Sequence, residues 1–71
     1  MLTERRKMIT FKEARESAGI NSEATMSRLM GMSPQLYGLK ENYQRNFKDF
    51  ELIKFCKLTN VKPSELKLLE R

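Results

Sequence analysis

Apolar residues in this chain recur at helical spacing between well-marked stops. Thr10-Phe11-Lys12-Glu13 reads as a capping box, in which the threonine hydroxyl takes the amide of residue 13 and Glu13 reaches back to the amide of residue 10. Ile9 and Ala14 occupy the staple positions, and Phe11, Ala14 and Ala18 follow as one stripe, with Gly19 as a left-handed stop. Ser22 opens a second helix whose inner face is Met26, Leu29 and Met30, and Gly31 ends it. Ser33-Pro34 starts a third with a cap followed by proline at the first helical position, where no amide hydrogen is needed; Met32 and Tyr37 are its staple.

Residues 43–48 read as a polar connector bearing Gln44, Arg45, Asn46 and Lys48. Asp49 is then expected to cap a fourth helix with a broad apolar face of Phe50, Leu52, Ile53, Phe55, Cys56 and Leu58, ending at Asn60. After Val61, Pro63-Ser64-Glu65-Leu66 predicts a short fifth helix with Leu66 and Leu69 inward. The expectation is an all-α domain of five helices over residues 9–71, preceded by a flexible basic arm, residues 1–8, that carries Arg5, Arg6 and Lys7. Repeats, low-complexity tracts and interdomain linkers are absent from the sequence.

Composition narrows the function. The 71 residues make one small domain, with 39% hydrophobic and 32% charged residues. The net charge of +5 raises the expectation of a polyanionic partner through phosphate neutralisation. No apolar run approaches the roughly 18 residues of a membrane-spanning helix, and MLTERRKM has no apolar core of a secretory signal. The single Cys56 sits in an apolar segment as a small thiol, which with these features points to a cytoplasmic protein. Without histidine, a glycine-rich phosphate loop or clustered carboxylates, the chain is read as a non-enzyme that needs no metal, cofactor or small-molecule substrate.

Residues 22–42, SEATMSRLMGMSPQLYGLKEN, have the size and punctuation of a helix-turn-helix. Together with Phe11-Lys12-Glu13-Ala14-Arg15-Glu16, Gly19-Ile20, Glu41-Asn42 and Val61-Lys62-Pro63-Ser64-Glu65-Leu66, they make the chain resemble the Cro and phage-repressor, or lambda-repressor-like, family over about residues 9–69. The resemblance implies a structural ion pair between Arg15 and Glu41. It also implies that Pro34, Gln35 and Leu39 stand where relatives touch bases, and Glu23 where they often touch phosphate. Only Gln35 carries an amide suited to a base edge, and a carboxylate at Glu23 repels a phosphate. Tyr43 stands where a glycine often follows Glu-Asn, so a looser backbone is expected there.

Two functions follow from this surface. Glu23, Pro34, Gln35, Leu36, Leu39 and Tyr43 form a face expected to bind a protein, since exposed leucines beside an aromatic residue are typical anchors. With the resemblance, this implies an anti-repressor, or modulator of repression, of the kind found beside repressors in temperate phages of Gram-positive bacteria. It would dock on a phage repressor in the host cytoplasm and control a lysis–lysogeny switch. The alternative is a Cro-like operator-binding repressor that uses Gln35, Lys40, Asn42, Arg45 and Lys48 on DNA.

Overall fold

The computed structural model describes residues 8–68. The expected arm residues Arg5, Arg6 and Lys7, and Leu69 of the expected fifth helix, lie outside that range. Among the described residues there are four α-helices: α1 (Phe11–Ser17), α2 (Glu23–Met30), α3 (Pro34–Glu41) and α4 (Asp49–Thr59). The all-α expectation therefore holds, with four helices in place of five.

Local chemistry sets the first three helices. Thr10 and Glu13 form the reciprocal capping box, at 3.1 and 3.0 Å. Ser22 and Ser33 accept from the amides of Thr25 and Leu36. Each helix then stops in the same way, on a residue with left-handed backbone: Gly19 (φ 83°), Gly31 (φ 76°) and Tyr43 (φ 66°). In each case the following amide reaches back five residues, from Ile20 to Arg15, Met32 to Ser27 and Gln44 to Leu39, the Schellman arrangement. The backbone at Tyr43 is thus turned as tightly as at the two glycines, contrary to the looser turn expected of a tyrosine there.

Four other expectations are revised. The cap of α4 is Lys48, not Asp49, and the Glu51 carboxylate accepts the Lys48 amide at 2.9 Å. The fifth helix is a single 3-10 turn, Pro63–Glu65. Leu66 leaves that turn to form an isolated parallel bridge with Ile9, held by Ile9 N donating to Glu65 O (2.9 Å) and Lys67 N donating to Ile9 O (2.8 Å). Leu29 and Ala18, expected inward, are exposed. The wide apolar face of α4 buries one side only: Phe55 is enclosed and Leu52, Cys56 and Leu58 half-buried, whereas Phe50 and Ile53 are 67% and 55% exposed.

The core is Phe11, Ala14, Met26, Met30, Tyr37, Phe55 and Leu66. Phe47, from the connector read as polar, joins it: its ring lies 4.6 Å from Phe11, 5.7 Å from Phe55 and 6.1 Å from Tyr37 between centroids. Phe11 meets Phe55 edge-on at 5.1 Å, a favoured aromatic geometry. Five of the six aromatic residues form this cluster, and Phe50 stands apart from it. No helix among the described residues is long and apolar enough to cross a membrane.

Candidate functional site

The α2–α3 unit is fixed from beneath. Arg15 on α1 donates from Nε to Glu41 Oε1 (2.9 Å) and from Nη2 to Glu41 Oε2 (3.2 Å), while its Nη1 donates to the Ile20 carbonyl (2.8 Å). Both side chains are almost wholly enclosed. The anticipated Arg15–Glu41 pair is present as a two-pronged contact, which fixes orientation as well as distance. The Glu41 hydrogen bonds hold the Arg15 guanidinium above its usual range against the opposing effect of burial. Tyr37 packs beside the pair; its hydroxyl is buried without a hydrogen-bond partner, and burial, with Glu41 nearby, pushes the pH at which it ionises well up.

With Tyr37, Lys40 and Glu41 inward, Gln35 and Leu39 fall about 160° away on either side of the opposite pole of α3. Pro34 and Gln35 are exposed, Leu39 is 36% exposed, and Leu36 and Gly38 are half-buried. Glu23 folds from the first turn of α2 over Gly38, where a side-chain carbon would sit 3.2 Å from Glu23 Oε1. Glu23 thus lies against the Gly38 side of α3, a helix on which Pro34, Gln35 and Leu39 are exposed and Leu36 is half-buried.

Two expected site residues are elsewhere. Tyr43 does not join those residues. Its ring packs on Phe11 at 5.4 Å, and its hydroxyl donates to the Lys67 carbonyl (2.6 Å) while accepting from the Phe11 amide (3.4 Å). It clamps the start of α1 to the segment after the 3-10 turn, and burial raises the pH at which it ionises. Lys40 is only 4% exposed. Its ammonium pairs with Glu51 on α4 and lies 5.9 Å over the Phe47 ring. Burial pulls the Glu51 carboxyl upward, but its hydrogen bond from Lys40, the Lys48 amide and the two lysine charges outweigh this and hold it below the ordinary carboxylate range.

The phosphate-contacting set of the alternative reading is reduced accordingly. Lys40 is removed from it, and Asn42 donates one of its two side-chain amide hydrogens to the Gly38 carbonyl at 2.8 Å, closing the end of α3. Gln35, Asn42, Arg45 and Lys48 remain exposed. Helical phase places Lys40 with Tyr37 and Glu41 on the inner edge of α3, but its partner, Glu51 on α4, is not legible from that helix. Comparison with known proteins yields no matching family model, no matching curated protein and no matching solved structure.

Proposed function

We propose that α2, its short turn and α3 form a helix-turn-helix of the lambda-repressor-like kind, turned toward a protein. On this reading the chain is a modulator of repression in a phage lysis–lysogeny switch. It docks on a phage repressor through Glu23, Pro34, Gln35, Leu36 and Leu39 and covers the repressor's own DNA-reading surface.

One observation carries the reading. The only cation on α3, Lys40, is withdrawn into its pair with Glu51, so the exposed side of the helix offers Pro34, Gln35 and Leu39 and no positive charge. A DNA-reading helix draws much of its affinity from cations near phosphate and its specificity from amides and guanidinium groups on base edges. This helix offers one amide beside the Glu23 carboxylate. Leu39 and half-buried Leu36 instead supply apolar area of the kind that anchors protein interfaces.

Gel filtration of the purified chain with the repressor encoded beside it tests the proposal. The expected result is a stable complex that no longer shifts operator DNA and is lost with Leu36→Ser/Leu39→Ser. The Cro-like alternative draws its support from exposed Gln35, Asn42, Arg45 and Lys48. It predicts instead a sequence-selective gel shift by the chain alone that weakens steeply with salt. That shift, without a complex, would overturn the proposal.

A further inference from the structure

Helix α4 carries a second surface that shares no residue with α3. Its buried side is centred on Phe55 and Thr59, and the opposite side presents Phe50, Ile53, Lys54 and Lys57 at i, i+3, i+4 and i+7, one continuous stripe. Beside this stripe runs an open groove of about 370 Å³, bounded by Ile53, Cys56, Lys57, Val61, Lys62 and Pro63. Its floor is apolar and its rim cationic.

The charge around it is one-sided. Over residues 48–68 the exposed ionic side chains are Lys48, Lys54, Lys57, Lys62 and Lys67 against Asp49 alone. Glu51 is engaged by Lys40, and the Glu65 carboxylate accepts the Lys62 amide at 3.1 Å. A second copy of this chain would bring the same cations against them. A nucleic-acid backbone would satisfy the lysines but leave nothing to cover Phe50 and Ile53, which stay 67% and 55% exposed.

We infer that this α4 groove binds an acidic amphipathic segment of a partner protein, whose apolar side chains cover Phe50 and Ile53 and enter the groove while its carboxylates meet Lys54, Lys57 and Lys62. The mode is that of a helix laid in a groove, with apolar anchors one turn apart and charge setting orientation. The inference does not depend on the reading of α3, and the chain would then engage partners through two faces.

The test uses the full chain and a fluorescein-labelled peptide of about four helical turns, with Leu at helical spacing and Asp and Glu elsewhere. Binding is followed by fluorescence anisotropy at about 0.15 M salt, where free surface charges are largely screened beyond ~8 Å. A scrambled peptide of equal composition and a labelled DNA duplex serve as competitors. Reaction of Cys56, the single thiol, with a maleimide reports occupancy of the groove itself. The expected result is saturable binding that slows Cys56 modification, at least ~tenfold weaker for the scrambled peptide, for Ile53→Glu and for Lys57→Glu. Leu39→Ser should leave it unchanged. Both groove positions are exposed, so circular dichroism should show these variants folded. Equal binding of the scrambled peptide, indifference to Ile53→Glu and Lys57→Glu, or unaltered Cys56 reactivity would overturn the inference. So would displacement of the peptide by DNA, or self-association that buries Cys56 without peptide.

Discussion

Removing one partner of the Arg15–Glu41 pair tests how α3 is held. In Glu41→Ala, Arg15 keeps its bond to the Ile20 carbonyl but loses the two to the carboxylate, and its guanidinium stays in a site with almost no water contact. Stranding a buried charge in this way costs about 3–5 kcal/mol. A domain of 71 residues has a total stability of about 4–11 kcal/mol at typical per-residue values. The single variant should therefore lose about a quarter or more of the total, with Tm falling by about 12–40 °C. Replacing both partners with apolar residues of similar volume, Arg15→Met/Glu41→Leu, removes both desolvated charges together and should return to within about 2 kcal/mol of the parent. The assay is urea unfolding followed by far-ultraviolet circular dichroism for the parent, both single variants and the double variant. Equal m-values would establish a common unfolded reference. A loss below about 1 kcal/mol for Glu41→Ala, or simple additivity in the double variant, would refute the account of this pair as a buried tie.

Other substitutions and pH probe the remaining contacts. Tyr43→Phe keeps the ring on Phe11 but removes the hydroxyl that joins the Phe11 amide to the Lys67 carbonyl, and should cost about 1–2 kcal/mol in urea unfolding. Tyr43→Gly relieves the left-handed backbone yet loses the ring packing as well, so it should be the less stable of the two; the reverse order would mean that backbone strain dominates. Gly38→Ala adds helix propensity of up to about 1 kcal/mol, and the carbon it introduces meets only the flexible end of Glu23, so a small gain in Tm is expected; a loss would show that the Glu23 carboxylate is held in place. The Glu51 carboxyl titrates below the ordinary 4.5 in the folded chain, so its contribution is intact above that pH and is lost as pH falls through the lower folded value. Glu51→Gln should accordingly flatten the acid limb of a stability–pH curve. Tyr37 and Tyr43 are both shifted upward from 10.0, so stability should fall as pH rises above 10, and tyrosinate absorbance should appear at higher pH in the folded chain than in the urea-unfolded one.

What could be read from the sequence divides by the range of the cause. The caps at Thr10, Ser22 and Ser33 and the stops at Gly19 and Gly31 act within one helical turn, and each is found where the residue types place it. Causes that act across the chain left weaker marks. Phe47 is one apolar residue among polar neighbours and shows no periodicity, although it joins Phe11, Tyr37 and Phe55 in the core. Leu66 follows a proper proline-led start, but its bridge to Ile9 draws the chain out of the turn before a helix can form. The six apolar positions of α4 span more of the helix than one small core can cover, so the pattern alone does not say that Phe50 and Ile53 are the two left outside. Tyr43 inverts the usual rule, because a side chain that tethers two distant backbone segments outweighs its poor fit to left-handed backbone.

Lys40 has the largest consequence for function. As a sequence letter it is a cation near the end of α3 and belongs with Arg45 and Lys48 as a phosphate contact. In the fold its ammonium is shared between Glu51 and the Phe47 ring, two groups supplied by the connector and α4. Freeing it for DNA would leave Glu51, whose side chain is 12% exposed, with only the Lys48 amide as partner. That arrangement is costly in a domain of this size. The pair therefore does two things: it braces α3 against α4, and it strips α3 of outward charge. Arg15 and Glu41 brace the same helix from α1 with a second internally neutralised pair. A helix held by two ion pairs turned inward keeps its position while its outer side is left to Pro34, Gln35 and Leu39. This withdrawal of charge from the outer side of α3 is what supports the proposal of a protein, in place of DNA, as the partner of that face.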